Sequence, residues 1–323
     1  MKTETNATFP IKFLILFLVF LTSSLIFQSC KSDKKETKTE VEETEKEMVI
    51  DVLTENMDFQ MPDTIPSGWI TFRYKNASPQ THFMLIDDYP DGKTIDTIAV
   101  RIAPPFDEGM KLINEGKTEE GYAAFGKLPD WFGDVKFVGG TGLISPNHVA
   151  TSTVKLNPGN YFIECYVKMS NGVFHTSMGM FKEVIVSDTD SGNSEPKADV
   201  AIEISSTDGI VLNGTISSGN HVFSVHYKDQ IVHENFVGHD VSLAKLDDTA
   251  DLDNLNMWMD WSNPKGLIEP APAGVTFLGG MNNMLAGDTG YFTATLEPGN
   301  YVLISEVPNP SGKKMLKTFT VSE

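Results

Sequence analysis

From about residue 49 onward the chain alternates short β-branched and aromatic runs with Gly, Pro, Asn and Asp punctuation, the pattern of strands separated by tight turns. Gly68-Trp-Ile-Thr-Phe-Arg-Tyr74, Thr153-Val-Lys-Leu156 and Val184-Ile-Val186 are examples. An all-β sandwich architecture is predicted. One stretch breaks the period: Pro105 to Phe125 sets Phe106, Met110 and Ile113 at helical spacing, with a break at Gly116 and a new start near Thr118. One or two short helices packed on a sandwich edge follow from that spacing, and their Met and aromatic stripe reads as core.

The pattern is written twice. Phe137-Val-Gly-Gly140 recurs as Phe277-Leu-Gly-Gly280, and Leu156-Asn-Pro-Gly-Asn-Tyr161 recurs as Leu296-Glu-Pro-Gly-Asn-Tyr301, both at an offset of 140. Ile65-Pro-Ser-Gly68 against Ile216-Ser-Ser-Gly219 extends the likeness upstream. Two tandem sandwiches are therefore expected, over residues 49–188 and 200–323. Residues 189–199, rich in Ser, Gly and Asp with one Pro, read as the linker.

The N-terminus reads differently. Lys12 precedes the apolar run Phe13 to Thr22, which is short for a bilayer span and suits a secretory signal. Leu25-Ile-Phe-Gln-Ser-Cys30 resembles a bacterial lipoprotein signal with the relaxed box of Bacteroidetes-type lipoproteins, although Phe27 and Gln28 stand where Leu and a small residue are commoner. That resemblance implies a signal peptide over residues 1–29 and lipidation at Cys30, with an uncleaved single-span anchor as the alternative. Residues 30–48 are mostly charged, with Ser and Thr and almost nothing apolar to bury, and read as a flexible tether.

Composition narrows the function. The formal net charge of −19 is wrong for a nucleic-acid binder, whose partner needs clustered positive charge. Two cysteines exclude a disulfide scaffold, a Cys-based zinc site and an iron–sulfur cluster. No Gly-x-Ser-x-Gly elbow, phosphate loop or His-Glu-x-x-His motif occurs.

Strand alternation places Tyr161, Ile163 and Cys165 on one inward face. His175 and Met180 follow on the next loop, and Asn76-Ala-Ser-Pro-Gln-Thr-His82 lies far upstream between two strands. This set resembles the cupredoxins, the blue-copper family. In them an early His follows an Asn by several residues, the late strand reads Pro-Gly-x-Tyr-x-x-x-Cys, and a His and a Gly-Met complete the loop. Pro158 to Cys165, His175 and Gly179-Met180 match in order, and the match covers most of the first copy. The loop of nine residues between Cys165 and His175 is long for plastocyanin and similar to that of the type 1 domain of nitrite reductase.

The resemblance implies Greek-key cupredoxin-like sandwiches and one type 1 copper. His82, Cys165 and His175 would be equatorial and Met180 axial, with Met178 as the alternative axial ligand. A thiolate and two imidazoles with a distant thioether suit both Cu(I) and Cu(II), so little rearrangement accompanies electron transfer. The plainer reading is a packing cysteine and a core histidine in a metal-free sandwich.

The second copy lacks the set. Ser305 stands at the Cys165 position, the following loop is five residues shorter, and only His239 remains. A degenerate domain without a type 1 site is expected. Met257, Met259, Met281, Met284 and Met315 could form a soft Cu(I) site with His239, although Asn256-Met-Trp-Met-Asp-Trp261 reads more simply as packing. The acidic pairs Asp87-Asp88 and Asp247-Asp248 recur and read as turns.

The functional expectation is a lipid-anchored electron carrier of the cell envelope that docks on a basic redox partner. Copper capture or delivery, and a metal-free adhesion or assembly module, are the alternatives. An enzymatic role is not expected, because the seven histidines include no His-x-His pair for a further copper centre.

Overall fold

The computed structural model describes residues 47–322; the signal, Cys30 and the tether lie outside the described residues. The all-β class read from the sequence is present, with a short helical insert. The first half contributes β1 (Val49–Thr54), β2 (Thr64–Asn76), β3 (His82–Asp88), β4 (Lys136–Ile144), β5 (Val149–Leu156), β6 (Gly159–Glu164) and β7 (Phe181–Asp190). The second contributes β8 (Val200–Ser205), β9 (Gly209–Asn213), β10 (Gly219–Tyr227), β11 (Val241–Leu246), β12 (Val275–Met281), β13 (Thr289–Leu296), β14 (Gly299–Ile304) and β15 (Leu316–Val321). Helices α1 (Ile95–Arg101), α2 (Ala103–Asn114) and α3 (Thr118–Phe125) form the insert, and α4 (Leu252–Met259) sits between β11 and β12.

The strands form two facing layers, each continuous through both halves. One runs β1-β2-β5-β13-β10-β8-β9, the other β15-β14-β11-β12-β4-β3-β6-β7, and the start of β2 also pairs with β7. The joins explain the offset of 140. Thr141 pairs with Met281 across β4 and β12, and Ser152 pairs with Phe292 across β5 and β13, each antiparallel. Residues at equivalent places in the two copies thus meet each other, as a pseudo-twofold relation requires. One apolar core, from Ile50 through Met281 to Val321, fills both halves.

The repeated Gly-Gly is a packing requirement. Gly140 sits at φ +125° and Gly280 at φ +137°. A Cβ at either would lie 1.9 Å from the Met84 carbonyl oxygen or 2.1 Å from that of Val241, inside any tolerable contact.

Several local readings change. The helices at residues 103–114 and 118–125 fall where expected, and α1 adds a third, capped by Thr94, whose side chain accepts from the Thr97 N–H. The insert packs over a sheet face: Tyr89, Phe162, Ile98 and Ile102 form one cluster, so β3 is buried on both sides. Asp87 is consequently an interior strand residue and not a turn, whereas Asp247 does cap a turn, accepting from the Thr249 N–H and hydroxyl. The Met and Trp run at 256–261 is mostly the end of α4, with Asp251 as its cap and Leu255, Trp258 and Met259 facing inward. Residues after β7 are held: Asn193 donates to the Met48 and Trp69 carbonyls, and Glu195 accepts from the Tyr291 hydroxyl.

Candidate metal centre

His82 opens β3, Cys165 follows the last residue of β6, and His175 precedes a 3-10 turn over Thr176–Met178. The loop closes on itself. The His175 N–H donates to the Val167 carbonyl at 2.8 Å, the Met180 N–H to His175 at 3.0 Å, and the Cys165 N–H to Met180 at 3.2 Å. Gly179 at φ +117° makes the reversal that returns Met180 to the core.

These elements bring three side chains together. The Cys165 Sγ lies 3.7 Å from each of His82 Nδ1 and His175 Nδ1, and the two nitrogens are 3.1 Å apart. All three residues are 0% exposed. A triangle with those edges has one point in its plane roughly 2.0 Å from all three atoms, close to a metal–imidazole bond of about 2.0–2.1 Å and slightly inside a metal–thiolate bond of about 2.3 Å. Seen from that point the imidazoles subtend about 100° and the sulfur about 130° from each, a trigonal set of the softness that suits copper. The donors therefore fit the ion.

Electrostatics prepare two of the three. Burial, and for His82 the neighbouring His175, press the imidazoles down to about 3 for His82 and about 4 for His175, so both are neutral ligands at pH 7. Burial pushes the Cys165 thiol up to about 12, opposed by backbone N–H groups of Phe83 and Val167 directed at the sulfur. With a thiol this hard to ionise, Cys165 would bind as a thiolate only where a cation held by the triangle supplied the compensating charge.

The His82 ring is oriented by a residue the sequence reading passed over. Its Nε2 lies 2.8 Å from Ser78 Oγ. That oxygen donates to Asn76 Oδ1 at 2.8 Å and accepts from the Gln80 N–H at 3.2 Å, so its remaining lone pair takes the Nε2 proton. The tautomer leaves Nδ1 free to bind, the usual second-sphere arrangement of a metal histidine. Asn76 is itself fixed, donating to the Gln80 and Ile144 carbonyls.

Met180 is fully buried, against Cys165 through the backbone bond described above, whereas Met178 is 52% exposed. The two candidate axial ligands thus differ in environment, and Met180 is the one enclosed with the other three. Cys30 lies outside the described residues.

The second half braces both ligand segments, a role with no local signal in the sequence. Glu269 accepts from the Thr81 N–H at 2.6 Å beside His82. The Tyr166 hydroxyl donates to Glu306, and the Lys168 ammonium donates to the Gly266 carbonyl at 2.8 Å while lying 4.1 Å from the Trp261 ring. The insert closes the outside: Phe106 meets Phe174 at 6.2 Å, and Ser177 donates to Asp107. Beside the His175 loop is an apolar cavity of about 230 Å³ lined by Phe106, Phe132, Phe174 and Trp261, with Glu164 on its wall. Burial raises Glu164 to about 7 and holds its neighbour Asp87 well above the usual carboxylate range.

No family model matches the chain, and no curated protein matches it. Solved structures do. Auracyanin from Roseiflexus castenholzii is 23% identical over 42% of this chain and 94% of its own, with a TM-score of 0.26. Auracyanin A, a "blue" copper protein from Chloroflexus aurantiacus, is 20% identical over 43% and 98%, with a TM-score of 0.27. A copper-containing nitrite reductase from Thermus scotoductus is 11% identical over 85% of this chain and 61% of its own, with a TM-score of 0.21. Likenesses with TM-scores this low do not bear on function, which rests on the site itself.

Proposed function

We propose that the chain is a copper protein with a single type 1 centre in its first half, held by His82, Cys165 and His175 with Met180 axial, and that it serves as a one-electron carrier. The observation that carries this reading is the triangle of one thiol and two neutral imidazoles around a point at bonding distance from all three. Bound there, copper would supply the one-electron couple; the protein's part is to hold the donors in place in both oxidation states.

Enclosure favours retention over hand-off. A copper-delivery protein needs ligands that a recipient can reach, and all of these are sealed under the insert and braced by the second half. Among the described residues this is the only group of three or more His, Cys, Asp and Glu side chains with ligand atoms within 4.8 Å of one another. An electron carrier requires nothing more, and we assign the chain no catalytic reaction.

The location belongs to the same proposal. Lipidation at Cys30 would tether the protein to the envelope through the charged segment, and the net charge of −19 would draw it to a basic redox partner over a salt-dependent range. Among the described residues no helix is long and apolar enough to cross a membrane. Voltammetry of the copper-loaded protein tests the role: a reversible one-electron wave is expected. Retained copper that exchanges no electrons with electrode or small mediators would overturn the carrier reading.

A further inference from the structure

The second half contains a pair of neighbouring histidines, one buried and one half-buried, whose Nε2 atoms its packing does not use. His239 is 0% exposed, and its Nε2 has no hydrogen-bond partner; the Nε2 of His233 is likewise buried and unpartnered. Their ring centroids are 5.3 Å apart at 45°, close to the 4.7 Å and 56° of His82 and His175. An unpartnered buried imidazole nitrogen costs free energy unless something occupies it.

Strand register makes His239 the counterpart of His82. Leu85 pairs with Gly140 and Glu164, and Ser242 pairs with Gly280 and Ile304 in the same way. Counting back three residues from Leu85 and Ser242 reaches His82 and His239. The thioether is preserved too. The Ser305 N–H donates to the Met315 carbonyl at 3.0 Å, as Cys165 does to Met180, and the Met315 N–H donates to Pro310 at 2.7 Å, as Met180 does to His175. More than His239 therefore survives of the ligand set: Met315, 1% exposed, occupies the Met180 place. Pro310 replaces His175, and His233 enters from the loop between β10 and β11.

The tautomer is set for metal binding. His239 Nδ1 faces the Asp229 carbonyl at 3.3 Å and its carboxylate at 3.6 Å, two acceptors that place the proton on Nδ1 and leave the Nε2 lone pair free. Burial also lowers both imidazoles from their ordinary value, which keeps them neutral. The neighbouring Lys313 ammonium is bound to the Pro308 carbonyl at 2.6 Å. Ile231 and Val232, just before His233 on the same loop, are exposed.

We propose that His233, His239 and Met315 bind a second copper ion, as Cu(I). Imidazole and thioether donors without a thiolate favour the soft monovalent ion, and the position of the missing thiol is taken by Ser305, whose hydroxyl is bound to Asp240 at 2.5 Å. Such a site is colourless and independent of the first.

Competition with a chromogenic Cu(I) chelator under reducing, anaerobic conditions tests this on the full chain. The double variant Cys165→Ser/His82→Ala, which removes the first site, is expected to retain one equivalent of Cu(I), with nitrogen and thioether scattering in X-ray absorption. In that background His233→Ala and Met315→Leu each lower Cu(I) affinity roughly ten- to a hundredfold. His233 is on an exposed loop, so its variant keeps the native fold, checked by an unchanged near-ultraviolet circular dichroism spectrum. Loss of all Cu(I) binding with the first site, or binding indifferent to both His233→Ala and Met315→Leu, overturns the proposal. Either result leaves the reading of the first site standing.

Discussion

Lys168 shows how the second half holds the ligand loop, and the structure sets the size of its effect. Its side chain is 1% exposed, donates to the Gly266 carbonyl at 2.8 Å and Pro264 at 3.4 Å, and is pressed by burial from 10.5 down to about 7. A shift of that size corresponds to about 5 kcal/mol against the charged form. The sign follows from proton counting: between pH 7 and 10.5 the unfolded chain holds a proton here that the folded chain lacks, so stability rises with pH across that window. From pH 7 to 9 the gain is about 2–3 kcal/mol. Lys168→Met keeps the stem, removes the titration, and leaves two carbonyls to find other partners at a cost of about 1–3 kcal/mol. The ligand loop should stay docked, because the backbone of Lys168 bonds independently to Leu267 and Glu269. Urea unfolding of both proteins at a series of pH values reads the effect: the stability difference, wild type minus variant, should grow by about 2–3 kcal/mol between pH 7 and 9. Parallel pH profiles would refute the buried, depressed ammonium.

Two other substitutions probe the parts around it. Ser78→Ala removes the acceptor that fixes the His82 tautomer; copper affinity should fall roughly ten- to a hundredfold in chelator competition while the visible band keeps its position, and an unchanged affinity would mean Ser78 does not orient the ring. Gly140→Ala puts a methyl group 1.9 Å from the Met84 oxygen at φ +125°, so a thermal or urea scan should show a loss of about 3 kcal/mol or more, against less than about 1 kcal/mol for the same change at Gly133, which is open and not at positive φ.

The strand pattern and the repeat were legible because alternation and offset are local and additive, and the pairing of Thr141 with Met281 shows why the offset stayed constant. Helix α4 was not, since Asn256 to Trp261 taken alone is too short to show a helical period; the discriminating signal was Asp251 as a cap with Leu255, Trp258 and Met259 at helical spacing. Asp87 misled for a different reason: the doublet does close β3, but the insert covers that end of the strand and buries its first acid. At the site, the four residue types and their order could be read along the chain. Glu269 against Thr81 and Lys168 against Gly266 could not, because contacts across 188 and 98 residues exist only once β4 and β12 have joined the halves. His233 was equally hidden, since it approaches His239 from a loop that carries no ligand in the first half.

The most direct test is a Cu(II) titration followed by visible absorption, on the wild type and on Cys165→Ser. The wild type should develop an intense thiolate-to-copper band that saturates with one tightly held ion. The variant should stay folded, since the backbone N–H groups of Phe83 and Val167 can serve a serine oxygen as they serve the sulfur, and should show no band. A wild type that binds no copper, or a band that survives the loss of the sulfur, would contradict a centre built on Cys165, His82 and His175.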